Sequence, residues 1–330
     1  MEKRTLGKST LEISPLGMGC WAIGGPWWYV GEDGKEPPSP SGWGQVDDDE
    51  SVKALHAAFD LGITFYDTAD VYGCGHSELV LGRAFAGRRD KVVIATKFGK
   101  QFDEQKKHYF GHKTSSELIR SACEDSLRRL GTDYIDLYQF HWGDYDDDPA
   151  IVQDTLEGLV QEGKIRWYGW STDDRQNAKA WLGGEHYTAV QHALHVAYTK
   201  SHNAKEMRAL CESNHLASIN RGPLAMGILT GKFDAQTTFP EDDIRHDWDL
   251  SSGRLNEIME QMDDLRTVLI SGGRSLVQGA LAWLWGFSET TIPSPGFKNV
   301  QQVTENAQAM AFGPLTADQM RQIDEILDRV

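Results

Sequence analysis

Residues 64–97 read TFYDTADVYGCGHSELVLGRAFAGRRDKVVIATK. Thr64-Phe-Tyr-Asp67 and Val92-Val-Ile-Ala-Thr-Lys97 are short runs rich in β-branched and aromatic residues, and Ser77–Phe85 between them has the apolar spacing of an amphipathic helix. Strand, helix and strand in that order make a βαβ unit, the building block of a parallel sheet. The same rhythm extends in both directions. Candidate strands fall at Leu16–Gly19, Thr64–Asp67, Val92–Lys97, Ile135–His141, Ile165–Trp170, Thr188–Gln191, Ala217–Asn220 and Thr290–Pro293. Candidate helices fall near Glu50–Leu61, Ser77–Phe85, Ser115–Leu130, Ala150–Gln161, Asp174–Leu182, Ala204–Glu212 and Ser275–Trp285, with a terminal helix near Ala317–Leu327. Eight such units predict a (β/α)8 barrel, the TIM barrel, as a single domain over residues 1–330.

Local signals support these boundaries. Asp148 before Pro149 reads as an N-cap with Pro at the first helical position, Thr114-Ser-Ser-Glu117 has capping-box spacing, and Leu130-Gly131 reads as a helix stop. The opening RTLGKSTLEISP reads as a small β-hairpin ahead of the barrel. Residues 20–47 and 234–272 exceed the minimal repeat. Both follow candidate strands, on the face where barrel loops carry chemistry, and are expected to shape the substrate site.

A net charge of −16 leaves no basic face to neutralise phosphates, which argues against nucleic acid or an anionic membrane as partner. The N-terminal stretch lacks an apolar core of signal-peptide length, and no window approaches a spanning helix, so a cytoplasmic protein is expected. Cys20, Cys74, Cys123 and Cys211 lack metal-ligand spacing and fit free thiols, with no metal.

The expected chemistry gathers at strand ends. Asp67, Lys97 and His141 close strands two, three and four, and Tyr72 lies in the loop after strand two, so all four converge on one rim. Each alone is more often a cap or a surface ion pair. Together they suit carbonyl reduction: Tyr72 protonates the developing alkoxide, Lys97 lowers the phenol's pKa, Asp67 keeps Lys97 charged, and His141 orients the carbonyl oxygen. Trp27, Trp28 and Trp43 in the first long loop are candidate walls of the substrate pocket, as is Trp142 after His141.

Several blocks resemble the signature segments of the aldo-keto reductases, in order over nearly the whole chain: Phe65–Gly73 (FYDTADVYG), Ala95–Gly99 (ATKFG), Tyr134–His141 (YIDLYQFH), Gly163–Ser171 (GKIRWYGWS), Leu229–Lys232 (LTGK) and Ile292–Lys298 (IPSPGFK). The resemblance implies a metal-free barrel enzyme using NADP(H) and an Asp-Tyr-Lys-His tetrad, here Asp67, Tyr72, Lys97 and His141. It places Gly19, Cys20, Trp21 and Asp67 beside the cofactor, and Ser171, Thr172 and Gln191 at the nicotinamide carboxamide. Gly222, Pro223 and Leu224, then Met226, Gly227 and Lys232, match the segment over the pyrophosphate, and Arg221 stands just before it, beside the nicotinamide. Pro293, Gly296, Lys298, Gln302, Glu305 and Asn306 match the adenosine end. Lys232 and Lys298 are the candidate cations for the 2′-phosphate, which favours NADPH over NADH.

The chain departs from the family pattern at Thr172, where Asn is common, at Arg221, where an aromatic ring often stacks on nicotinamide, and at Gln302, where arginine is common. Tyr109 and Lys113 have the spacing of the short-chain dehydrogenase pair, but Gly111 and their polar surroundings read as a loop, and no Gly-rich dinucleotide turn opens the chain. The acidic run Asp144, Asp146, Asp147 and Asp148 reads as a solvated loop ending in a helix cap. A cofactor-sensing binding protein of the same fold is the alternative reading, and a sugar or polyol dehydrogenase running the reverse direction is a third.

Overall fold

A computed structural model of the chain describes residues 1–112, 114–141, 148–197 and 204–328. Its centre is a parallel sheet of eight strands: β1 (Gly17–Gly19), β2 (Phe65–Asp67), β3 (Val93–Phe98), β4 (Ile135–Phe140), β5 (Ile165–Ser171), β6 (Tyr187–Ala193), β7 (Ala217–Arg221) and β8 (Thr291–Pro293). Each strand pairs with its neighbour in sequence. The sheet closes where Gly19 N donates to Pro295 O (2.9 Å) and Gly19 bridges Gly296. A Cβ on Gly19 would stand 2.8 Å from Ser294 O, so glycine is what lets the first strand reach the last.

Period-two alternation explains the interior. Phe65, Ala95, Leu137, Ala189, Ile219 and Ile292 point into the barrel and form one apolar cluster. Leu6, Leu11 and Ile13 join that cluster from the hairpin of Arg4–Thr5 with Glu12–Ile13, which plugs the N-terminal end of the barrel. Gly7 makes the tight fit there: its φ is +57°, and a Cβ would meet Thr188 O at 2.1 Å. Two residues further along three strands, the same inward positions are Asp67, Lys97 and Gln139, and on β6 the position is Gln191. The apolar interior thus gives way to a polar layer at the C-terminal mouth.

The outer ring is α1 (Asp48–Asp60), α2 (His76–Ala84), α3 (Ser116–Leu130), α4 (Pro149–Gln161), α5 (Arg175–Ala180), α6 (Ala204–Ser213), α7 (Gly253–Leu269), α8 (Leu276–Phe287), α9 (Val300–Phe312) and α10 (Ala317–Ile326). Asp148 caps α4 as expected, accepting from Ala150 N (2.8 Å), and Gly131 ends α3 in a left-handed conformation. The cap of α3 is Ser115, not Thr114: Ser115 Oγ accepts from Leu118 N while Thr114 is buried. Sequence reading did not find α9, whose buried face is only Val303, Asn306, Ala307 and Ala309, too small a contrast to reveal the period.

The two long loops differ from simple insertions. Trp28–Tyr29 and Ser39–Pro40 from the first join Lys100–Asp103 and His108–His112, after β3, in a four-stranded sheet beside the barrel mouth. Tyr109 therefore lies in a strand and not in a loop, its ring against Trp27 and Tyr29 (both 4.8 Å), and Lys113 falls outside the described residues. Trp27 is 4% exposed in a small satellite core with Ala69, Val71 and Cys74. Residues 253–269 of the second long segment are the helix α7, which buries Ile258, Met262, Leu265 and Leu269 at helical spacing.

Behind the loop carrying Tyr72 lies a buried ionic group. Arg129 Nε donates to Glu78 Oε2 (2.6 Å), Arg129 Nη1 to Glu104 Oε1 (2.8 Å), and Thr96 Oγ1 to Glu78 Oε1 (2.6 Å). Burial and the Glu78 charge push the Asp70 carboxyl up to about 8, against Arg129 and the Val71 N–H. Arg129→Met would leave Glu78 charged and enclosed without its partner, and should cost about 3–5 kcal/mol, read as a lower urea midpoint. The fold favours the neutral form of Asp70, so its contribution is complete below the ordinary carboxylate range and is lost as pH rises towards about 8. Asp70→Asn should remove that downward slope; midpoints measured across this pH range that fall as steeply as those of the unsubstituted protein would contradict it.

Candidate active site

The Asp67 carboxylate is the hub of the polar layer. Lys97 Nζ donates to Asp67 Oδ1 and Oδ2 (3.0 Å each), to Thr68 O (2.7 Å) and towards the Tyr72 hydroxyl (3.4 Å). Asp67 Oδ1 also accepts from Gln139 Nε2 (3.1 Å) and Gln191 Nε2 (2.8 Å). Lys97 has no exposed surface, and Asp67 is 5% exposed. Burial opposes the ammonium charge, but Asp67 and Tyr72 outweigh it and hold the Lys97 pKa above its usual value.

Tyr72 sits in a loop pinned from several sides. Gly75 N donates to Asp70 O (2.7 Å), Lys107 Nζ to Gly73 O (2.9 Å), and Gly73, at φ +60°, lies so close to Gly24 that a Cβ would meet its carbonyl oxygen at 1.9 Å. Trp21 stacks on the phenol ring (5.8 Å, 16° between planes), and His141 meets it edge-on (5.9 Å). The phenol differs from expectation. Burial raises its pKa more than Lys97 draws it down, and Asp67 adds to the rise. The phenol therefore holds its proton at neutral pH, with the Lys97 ammonium beside its hydroxyl. Burial, with Lys97, Lys100 and Arg221 around it, drives the His141 pKa well down, so the imidazole is neutral; its Nδ1 has no partner among the described residues.

These groups face a cavity of about 780 Å³. The structure brings Asp67, Tyr72 and His141 to its wall together with Gly19, Trp21, Trp27 and Trp43. Ser171, Thr172, Arg221, Gly222, Pro223, Leu224, Met226, Gly227 and Lys232 continue the wall, and Gly296, Lys298, Gln302, Glu305 and Asn306 complete the far end. Cys20, Lys97, Gln191 and Pro293 are buried outside the wall. Trp28 lines a separate cavity with Asp47, Asp48 and His76. Trp142, Asp144, Asp146 and Asp147 fall outside the described residues.

Sequence reading missed Gln139, although its position two residues before His141 puts it in the polar layer, as alternation could have shown. It also missed Arg245, which lines the cavity from the second long loop. Arg245 chelates Asp243 (Nε–Oδ1 2.8 Å, Nη2–Oδ2 2.7 Å) and stacks on Trp43 and Phe239 (4.5 and 4.2 Å). The two long loops meet there: Ile244 N donates to Gly42 O (2.8 Å), and Lys298 Nζ reaches Trp43 O.

The wall fits a dinucleotide. The Ser171 hydroxyl, in the wall, donates to Gln191 Oε1 (3.3 Å) behind it, leaving its own lone pairs to accept from a carboxamide. Thr172 Oγ1 instead accepts from Asp174 N (3.0 Å). Among the described residues, left-handed Gly222 has nothing within 4 Å of a would-be Cβ, and Ser294 Oγ, in the wall, has no partner. Lys232, Lys298 and Arg245 offer cations at the other end.

Comparison with known proteins agrees with this geometry. The family model described as aldo/keto reductase family matches residues 15–328. The aldo-keto reductase YhdN of Bacillus subtilis (strain 168) is 31% identical, over 95% of this chain and 97% of its own. The glycerol dehydrogenase AKR11B4 from Gluconobacter oxydans superposes with a TM-score of 0.83 at 32% identity, over 99% of this chain and 95% of that one. An aldo-keto reductase from Klebsiella pneumoniae in complex with NADPH gives 0.73 at 26% identity, over 99% and 96%. A match running from the start of the barrel to its terminal helix leaves one assignment: this chain belongs to the aldo/keto reductase family of oxidoreductases.

Proposed function

We propose that the protein reduces an aldehyde or ketone to an alcohol with NADPH, Tyr72 donating the proton to the carbonyl oxygen. One observation carries this reading: a fully buried lysine, kept charged by Asp67, lies 3.4 Å from the hydroxyl of a tyrosine in a cavity wall. When bound, the cofactor supplies the reducing equivalent at the carbonyl carbon. Tyr72 holds its proton through the neutral range and releases it only to a strong base, such as the oxygen of a carbonyl undergoing reduction. The phenolate left behind faces Lys97 Nζ, an attraction that the neutral phenol lacks and that therefore favours the transition state over the ground state. Neutral His141 hydrogen-bonds the same oxygen, and because it carries no charge it does not compete with Tyr72 as acid.

Trp21, Trp27, Trp43 and Tyr109 give the substrate end apolar walls that exclude water from the transfer. Ser171 and Gln191 hold the carboxamide, the 222–227 segment covers the pyrophosphate, and Lys298 with Lys232 meets the 2′-phosphate. By microscopic reversibility the same groups support alcohol oxidation, with Tyr72 as the base.

Tyr72→Phe should bind NADPH like the unsubstituted protein while kcat falls about 100-fold or more; a kcat equal to that of the unsubstituted protein would sink the assignment of Tyr72. The broader reading is checked by tryptophan fluorescence titration with NADPH and then NADH, followed by turnover on small aldehydes, ketosugars and aromatic ketones. Saturable NADPH binding with turnover is expected. Tight binding without turnover on any of them would favour a cofactor-sensing role, and binding of neither cofactor would overturn the proposal.

A further inference from the structure

Arg221 ends β7 and Asp173 lies just beyond β5, and both stand in the cavity wall. Arg221 Nη2 donates to Asp173 Oδ2, and Asp173 Oδ1 accepts from Ala193 N (2.7 Å), which ties the carboxylate to the end of β6. The side chains are 47% and 55% exposed, so the pair adds little to stability. Its place beside the reacting groups matters more. The Arg221 charge is among those that draw down both the Tyr72 phenol and the His141 imidazole. A group that reduces a carbonyl held by Tyr72 and His141 must touch that carbonyl carbon, and so lies within reach of the same charge.

The two redox forms of nicotinamide differ by one positive charge on the ring. A guanidinium opposes the oxidised, cationic form, a carboxylate favours it, and the neutral reduced ring is nearly indifferent to both. We propose that the Arg221–Asp173 pair sets the relative affinity of this site for the oxidised and reduced cofactor, and through it the direction in which the enzyme is poised. The inference rests on the proposal that the cavity binds NADP(H). With both charges present their effects partly cancel, so removing one partner exposes the other.

Dissociation constants of NADP+ and NADPH, each measured by tryptophan fluorescence quenching, test this without turnover. Arg221→Gln leaves Asp173 alone and should lower the ratio Kd(NADP+)/Kd(NADPH) about two- to fivefold, while Asp173→Asn should raise it by a similar factor. The double variant should return towards the original ratio, and Arg221→Lys, which keeps the charge, should retain it. A ratio unchanged in either single variant, or moved in the same direction by both, overturns the inference, including the case in which both constants shift in parallel because the pair only packs the wall. Failure of the unsubstituted protein to bind either form would instead overturn the underlying proposal, so the two failures are distinguishable.

Discussion

The Asp67 carboxylate, enclosed at the barrel mouth, is the constraint on which the rest of the site depends. It accepts hydrogen bonds from Lys97, Gln139 and Gln191, side chains of three different strands. Enclosing a carboxylate and an ammonium costs several kcal/mol per ion unless each is fully bonded, and hydrophobic residues of like volume would be no less stable. The pair is therefore poor evidence of a stabilising device and good evidence of a functional one. What it secures is a charged ammonium at a fixed distance from the Tyr72 hydroxyl. The barrel supplies rigid strand ends, the hairpin seals the other end, and Gly19 lets β1 close against β8 so that Asp67 on β2 faces Lys97 on β3.

The loop from Thr68 to Gly75 lies between two ionic systems of opposite design. On the cavity side a single ammonium and a single carboxylate chelate each other. On the far side Glu78 and Glu104 share the Arg129 guanidinium, and burial beside the Glu78 charge raises the Asp70 carboxyl to about 8. Hydroxyl contacts fill the space between, with Ser77 Oγ donating to Cys20 O (2.8 Å) and sharing a hydrogen bond with Thr68 Oγ1 (2.8 Å). Tyr72 is thus held from outside the loop as well as within it, with Lys107 Nζ donating to Gly73 O and Trp21 stacked on the phenol.

The barrel was legible because burial on both faces of parallel strands leaves short, almost wholly apolar runs, and each ended within a few residues of the predicted place. Asp67, Lys97 and His141 stood out for the complementary reason: they are the polar residues that end such runs. Gln139 obeys the same alternation but, as a neutral amide within YIDLYQFH, carries no chemical signal of its own. The sheet built from residues 28–40 and 100–112 pairs segments from loops after different strands, and two- to five-residue strands offer no period to read. Arg245 was hidden in a charged segment where nothing in the sequence separates a solvated arginine from one stacked on Trp43. Lys97 lowers the Tyr72 pKa as the sequence suggests, but the net shift is upward because sequence names the neighbouring cation and not the depth of burial that outweighs it.

The claim that Asp67 exists to keep Lys97 charged is tested most directly by the pH dependence of carbonyl reduction in Asp67→Asn, with folding monitored in the same samples. Without the carboxylate, burial should drive the Lys97 pKa down, because desolvation is the largest influence on it. The variant should then retain part of its turnover at low pH, where Lys97 is protonated, and lose it as pH rises through that lowered pKa, while the unsubstituted protein shows no such fall. A variant whose profile superimposes on that of the unsubstituted protein would contradict the account.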